Sequence, residues 1–384
     1  MPKFKVAYAT GSRADYGIVR RYLKKLDNDK NIDFSVLVTG SHLEKQFGNS
    51  VDNILADGFT IDYQAKLNID NSSNAGVMHS MAIALDLFGT YFENNKYDLL
   101  IILGDRYEMM AVAVAAAMQK IPILHLHGGE VTYGNYDEFI RHCISKMSLY
   151  HFTSTPTYRD RVIQLGEAPQ RVYYMGALGA ENCQYIDETL VPDWIKRLPN
   201  KGYFVVAFHP ETLTDVSLID QIHEILKALS LYDNNYQFVL MGSNADTNSG
   251  IIQQTWKAYA ESHKNVTYIE NLNVDAYLFM VKNAIALVGN SSSGIIEAPS
   301  LGSMTINIGD RQAGRVAGES VQNVRCEASK ISEAMNTAIK SIGISFENPY
   351  YLPNTADNYY KKTLEILSNP ATVPKSFYDI KIEG

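Results

Sequence analysis

The chain has almost no cysteine: Cys143, Cys183 and Cys326 are the only three in 384 residues, far apart and forming no CxxC pair. That leaves no basis for a disulfide framework or a thiolate zinc site, and buried, inert thiols are expected. Long apolar runs are also missing, since the longest, Met109 to Met118, is too short for a bilayer and gives way to Gln119, Lys120 and Pro122. Met1-Pro2-Lys3 leads into a strand-like stretch instead of a signal segment, so a cytoplasmic protein is expected. No block of one charge sign occurs. The net charge of −8 comes from mixed acids and bases, which argues against a nucleic-acid or anionic-membrane partner and leaves any phosphate to a local site. The GxGxxG fingerprint is absent from the first strand-helix turn and GxxxxGK[ST] is absent throughout, so neither NAD nor P-loop hydrolysis has a sequence handle.

What is present is ample core material, 46% of the residues being hydrophobic in a chain long enough for two domains. Phe4–Thr10, Phe34–Thr39, Leu99–Leu103, Ile121–Leu126 and Tyr150–Ser154 read as buried strands, and Val19–Leu26, Gly76–Phe92, Met109–Met118 and Phe139–Met147 as the helices between them. This alternation predicts a parallel, doubly wound sheet over residues 1–176. A second series, over residues 177–354, carries strands at Tyr203–Phe208, Gln237–Met241, Val266–Ile269, Ala284–Val288 and Thr305–Ile308. A helical tail near Asn358–Leu367, within residues 355–384, is a candidate to return and complete the first domain.

Ligands collect at the carboxyl ends of strands in such sheets, so the loops there are the candidates. The first is Gly11-Ser12-Arg13-Ala14-Asp15-Tyr16-Gly17, where Arg13 is either a phosphate contact or a surface arginine on an ordinary turn. In Gly104-Asp105-Arg106-Tyr107-Glu108, two roles are open to Asp105: general base, or helix cap paired with Arg106. In His125-Leu126-His127-Gly128-Gly129-Glu130, strand alternation puts both histidines on one face, yet no further spaced ligands follow, so metal is not expected. The paired glycines let backbone approach a ligand and present Glu130 in a loop. Asp137 and Glu138 open a helix that continues to Arg141 and His142; helix capping accounts for one acid, but not for so many titratable groups on consecutive loops. In the second half, His209-Pro210-Glu211-Thr212 and Gly242-Ser243-Asn244-Ala245-Asp246 end two strands. The strongest local signal is Asn290-Ser291-Ser292-Ser293-Gly294-Ile295-Ile296-Glu297, whose hydroxyls and free N–H groups suit a diphosphate, with Glu297 about one turn on for a ribose diol. Arg311 and Arg315 follow in a further loop, as phosphate contacts or as solvated arginines.

Taken in order, GSRADYG at 11–17, GDRYE at 104–108, HGGE at 127–130, DEFIRH at 137–142, HPET at 209–212, GSNAD at 242–246, NSSSGIIE at 290–297 and GDRQAGR at 309–315 resemble the UDP-N-acetylglucosamine 2-epimerase family, in its hydrolysing branch that feeds sialic acid biosynthesis. An EAGLR-like stretch near 127 and an HRRE-like one near 209, expected of the non-hydrolysing branch, are absent. The resemblance implies two Rossmann-like domains around a central cleft, the fold of B-type glycosyltransferases, with UDP on the second domain. It implies diphosphate contacts from Arg13, Ser291, Ser292 and Arg311, a ribose ligand in Glu297, and a leaving-group role for His209. Asn244 and Asp246 are added as UDP-side contacts. Asp105, Glu130, Asp137 and Arg141 are implied on the sugar side. Many relatives carry glutamate where this chain has His127, so His127, Glu130 and Asp137 are all eligible as the catalytic acid or base.

The implied reaction needs no redox cofactor and no metal. A hexose C2–H is not acidic, so loss of UDP from C1 must run ahead; C2 is then deprotonated to a 2-acetamidoglucal, water adds at C1, and C2 is reprotonated from the opposite face. Rival readings are a hydrolysing 2-epimerase of UDP-2,4-diacetamido-2,4,6-trideoxyglucose or of a GDP-linked sugar for legionaminic acid, a glycosyltransferase of the same fold, and a nucleotide-sugar-binding protein without turnover. A homodimer is expected from the resemblance and from the apolar helices Gly76–Phe92 and Met109–Met118.

Overall fold

A computed structural model of the chain describes residues 3–44, 50–211, 213–214, 216–232, 235–243, 248–371 and 375–381. Two compact units form: residues 1–130, 137–178 and 352–384 make the first, and residues 131–136 and 179–351 the second. Both are α/β units built on one parallel sheet, the two-sheet Rossmann-like class that the alternation predicts.

The first sheet contains β1 (Phe4–Thr10), β2 (Ile32–Thr39), β3 (Ile61–Ala65), β4 (Leu99–Leu103), β5 (Ile123–Leu126), β6 (Tyr150–Thr153) and β7 (Val172–Tyr174). Their order is β3-β2-β1-β4-β5-β6-β7. β4 is Leu-Leu-Ile-Ile-Leu and buried throughout, as a strand covered by helices on both faces must be. β5 begins two residues later than expected, after Pro122, which has no N–H to give a ladder. The edge strand β3 alternates partly buried and exposed residues and the strand Val321–Val324, in the second unit, is only partly buried, so neither stands out as an apolar run.

The helix Arg13–Asp27 starts earlier than its apolar spacing suggests, because Ser12 and Asp15 form a capping box. The helix Thr355–Ser368 belongs to the first unit: Tyr22 and Thr363 share a hydrogen bond of 2.7 Å, and the Tyr359 ring lies 4.9 Å from that of Phe152. The Tyr359 hydroxyl donates to the Gly176 carbonyl at 2.8 Å. Fully buried aromatics of this kind contribute about 1.5–3 kcal/mol each.

The second sheet contains β8 (Tyr203–Ala207), β9 (Gln237–Met241), β10 (Val266–Ile269), β11 (Ala286–Gly289), β12 (Met304–Ile308) and β13 (Val321–Val324), in the order β10-β9-β8-β11-β12-β13. The strand order thus reverses between β1 and β4 in one unit and between β8 and β11 in the other. These are the switch points where loops diverge and leave a crevice for a ligand.

Candidate active site

In the first unit the loops after β1, β4 and β5 meet at the switch point. Asp15, at the start of the helix after β1, accepts from Thr10 Oγ1 (2.7 Å) and from the N–H groups of Gly11 (3.1 Å) and Ser12 (3.1 Å), tying the Arg13 loop down. Burial raises the Asp15 carboxyl against these bonds and lowers the half-buried Arg13 guanidinium. A Cβ on Gly11 would overlap Glu108 Oε1, so the backbone passes directly over that buried carboxylate, which takes a 2.6 Å bond from Arg106 Nε.

Asp105 follows β4, with the cap position of the helix Tyr107–Met118 falling on Arg106 instead. It is bound by Arg141 Nη2. The Arg141 side chain, 1% exposed, also donates through Nη1 to the Glu130 carbonyl at 2.8 Å and to Glu138 Oε2 at 3.1 Å. Arg141 reaches them from the second turn of the helix Asp137–Met147, which Asp137 opens. His125 holds the other side of this loop, with Nε2 2.8 Å from the Gly104 carbonyl and Nδ1 3.0 Å from Ser145 Oγ. Burial pushes its imidazole down to about 3, so the ring is neutral at physiological pH.

His127 departs from the expected alternation. β5 ends at Leu126, and His127 adopts φ +63°, a left-handed conformation uncommon for a non-glycine residue. Its Nδ1 lies 3.2 Å from Glu130 Oε1, which also accepts from Ser154 Oγ at 2.6 Å. Its Nε2 is buried with no hydrogen-bond partner among the described residues. The geometry therefore joins Asp105, Arg141 and Glu130, and Glu130 in turn meets His127.

In the second unit a corresponding cluster surrounds Asn290. The His209 N–H donates to Asn290 Oδ1 at 2.7 Å, and Asn290 Nδ2 returns a 2.9 Å bond to the His209 carbonyl. The Asn290 carbonyl accepts from Arg311 Nη1 at 3.0 Å and from Gln312 Nε2 at 2.9 Å. Gly289, at φ +134°, lets β11 come so close to the Ala207 carbonyl that a side chain there would overlap it. Glu211 Oε1 accepts from the N–H groups of Asp310 (2.9 Å) and Arg311 (3.2 Å), and burial raises its carboxyl. His209 Nδ1 lies 3.0 Å from Ser243 Oγ.

Ser291 and Ser292 follow Asn290, and the helix they open is a single turn, Ser293–Ile296, before Pro299 turns the chain into a tighter helix at Ala298–Leu301. Glu297 lies at the joint, 8% exposed, with Oε1 where a Cβ on Gly179 would be. Asn244 and Asp246 lie outside the described residues. Segment 131–136 packs with this unit although both flanking stretches belong to the first: the Leu213 N–H donates to the Gly134 carbonyl at 3.1 Å, and a Cβ on Gly134 would crowd the Arg311 backbone at 2.9 Å.

Sequence reasoning did not single out Ser154, Glu108, Ser243, Glu211 or Asn290 as site residues. All of these but Ser154 stood inside the quoted motifs and were signalled only by position after a strand end.

Two α/β units, each with loops gathered at the switch point of a parallel sheet, define the two-Rossmann-like class of fold, and comparison with known proteins narrows it. A family profile described as UDP-N-acetylglucosamine 2-epimerase matches residues 24–363, and the chain belongs to that family. It is 44% identical to polysialic acid biosynthesis protein P7 of Escherichia coli, over 98% of this chain and 97% of that one. It is 33% identical to the UDP-N,N'-diacetylbacillosamine 2-epimerase (hydrolyzing) of Legionella pneumophila, over 95% and 97% of the two chains. Among solved structures, UDP-GlcNAc 2-epimerase from Neisseria meningitidis bound to UDP-GlcNAc superposes with a TM-score of 0.76 at 21% identity, covering 94% of this chain and 100% of that one. No helix among the described residues is long and apolar enough to cross a membrane.

Proposed function

We propose that the protein is a hydrolysing UDP-N-acetylglucosamine 2-epimerase, converting UDP-N-acetylglucosamine and water to N-acetylmannosamine and UDP for sialic acid synthesis. The observation that supports this reading is the linkage of Asp105, Arg141, Glu130 and His127 in the first unit, with Asp137 opening the helix that carries Arg141, in a chain 44% identical to a polysialic acid biosynthesis protein. Inversion at C2 requires two acid–base groups on opposite ring faces, and this reading draws them from Asp105, His127, Glu130 and Asp137.

In this mechanism Arg13, Ser291, Ser292 and Arg311 stabilise the charge growing on the diphosphate as the C1–O bond breaks. His209 assists the leaving group, Glu297 accepts from the ribose diol, and Asn244 and Asp246 add contacts on the UDP side. Arg141 acts on the sugar side by holding Asp105. The C2 proton departs as the C1=C2 bond forms, water adds to C1 of the 2-acetamidoglucal, and C2 is reprotonated from the other face. The proton inventory closes with these side chains and water, so neither NAD nor a metal is invoked. The reading includes a cytoplasmic homodimer paired through the exposed Met78, Leu85 and Met118 of two neighbouring helices. A monomeric mass by light scattering at micromolar concentration would refute that pairing.

The 33% and 35% identities to N,N'-diacetylbacillosamine 2-epimerases favour a second reading, the same reaction on a 2,4-diacetamido-2,4,6-trideoxy sugar carried by UDP or GDP. Incubation with UDP-N-acetylglucosamine in D2O, followed by proton and phosphorus NMR, separates the two. Free UDP together with C2-deuterated N-acetylmannosamine is the expected result. Unchanged substrate, with turnover of the diacetamido sugar instead, transfers the assignment to the second reading.

A further inference from the structure

The acid–base role can be divided between residues that composition left equivalent. We infer that His127 and Glu130 form a dyad in which the Glu130 carboxylate holds the imidazole through Nδ1–H, leaving Nε2 as the base that takes the substrate's C2 proton. This inference rests on the 2-epimerase reading. Glu130 is then a positioning residue.

Three observations lead there. First, Glu130 faces inward: the residue is 2% exposed, its Oε1 receives Ser154 Oγ at 2.6 Å and lies 3.2 Å from His127 Nδ1, and its carbonyl is held by Arg141 at 2.8 Å. A carboxylate engaged in this way is an acceptor, and the natural complement on the ring is Nδ1–H. Second, the ring's other nitrogen is buried with no partner among the described residues, which is costly for a polar atom unless something else supplies one. Third, the backbone is constrained to give this placement. His127 is held at φ +63°, its N–H donates to the Phe152 carbonyl at 2.8 Å, and Arg161 anchors the Gly129 carbonyl at 2.6 Å. Left-handed backbone in a non-glycine residue costs about 1 kcal/mol or more and persists where the surroundings impose it.

In the step itself, the C2–H bond breaks and its proton passes to Nε2. The bonding pair becomes the C1=C2 bond, and the C1–O pair leaves with UDP. The imidazolium so formed lies beside the Glu130 carboxylate, which stabilises it as a buried carboxylate does in serine-protease triads.

The test has a readout that does not depend on turnover. With 15N-labelled histidine in the intact protein, the His127 signals, assigned by their loss in His127→Ala, are expected to report the Nδ1–H tautomer with Nε2 unprotonated. In Glu130→Gln the amide can donate to Nδ1, so the tautomer should reverse. With UDP-N-acetylglucosamine, kcat should fall on the order of 10³–10⁴-fold while KM changes by less than about threefold. The double variant His127→Ala/Glu130→Gln should be no slower than His127→Ala alone. Ser154→Ala, a milder change, should lower kcat in the same direction with the fold intact by circular dichroism. A wild-type Nε2–H tautomer, or losses that multiply in the double variant, would overturn the dyad in an enzyme that turns over. A wild-type protein that releases UDP from no nucleotide sugar would instead defeat the 2-epimerase reading, and the base role with it.

Discussion

Replacing Arg141 with methionine keeps the volume and removes the charge, and the structure sets the size of the effect. The guanidinium is 1% exposed and serves two carboxylates, Asp105 and Glu138, plus the Glu130 carbonyl. Breaking a fully buried pair costs about 3–5 kcal/mol. Here the two acids are 23% and 21% exposed, so water can reach them, and the lower end, about 3 kcal/mol, applies. For a unit of roughly this size that lowers the unfolding midpoint by about 6–12 °C. Thermal unfolding followed by far-ultraviolet circular dichroism reads it directly. Asp105→Asn should cost less, and Arg141→Met/Asp105→Asn less than the sum, because removing one acid relieves the repulsion left behind. Arg141→Lys should recover only part, since a single ammonium nitrogen cannot span acceptors that Arg141 reaches through two separate guanidinium nitrogens. A midpoint for Arg141→Met within about 2 °C of wild type, together with a raised KM, would refute the strut and make Arg141 a substrate ligand instead.

Two other predictions follow from burial. Burial by itself would raise the Glu167 carboxyl, but His151, then Lys146 and Lys375, outweigh it and hold it at about 2 against an ordinary 4.5. A depressed carboxyl gives stability that is present above pH 4.5 and lost as pH falls towards 2, so urea midpoints should drop across that window and Glu167→Gln should flatten the drop. An unchanged acid limb in Glu167→Gln would exclude this cluster as its source. Gly179→Ala would push Glu297 off its position, and on the proposed assignment of Glu297 to the ribose, losing that one hydrogen bond should weaken UDP binding roughly tenfold by calorimetry. Equal affinity would remove Glu297 from the nucleotide site.

The fold was legible where burial is complete. β4 and β8 are apolar at every position because helices cover both faces, and composition alone reveals that. β3 and β13 mix polar and apolar residues at sheet edges and were not separable from loops. The site was legible by residue type but not by partner. Asp105 stands beside Arg106 in sequence, yet Arg141, 36 residues away, binds it, while Arg106 bonds Glu108. His125 and His127 look equivalent by alternation, but the strand stops between them: one ring braces Gly104, and the other presents an unpartnered nitrogen. Pairings over such separations follow from how strands order in the sheet, which local periodicity does not contain.

The polypeptide passes between the two units four times, at 130/131, 136/137, 178/179 and 351/352. Neither unit is therefore a transferable cassette. A fragment cut after residue 178 would carry segment 131–136 without the loop it lies on, and would lack the helix Thr355–Ser368 that closes over Tyr22 and Phe152. Swapping units between relatives would need three junctions rebuilt in concert: the six-residue excursion, the 178/179 joint and the returning helix. Diversification of specificity in this architecture should proceed by substitution within loops instead of by exchange of halves.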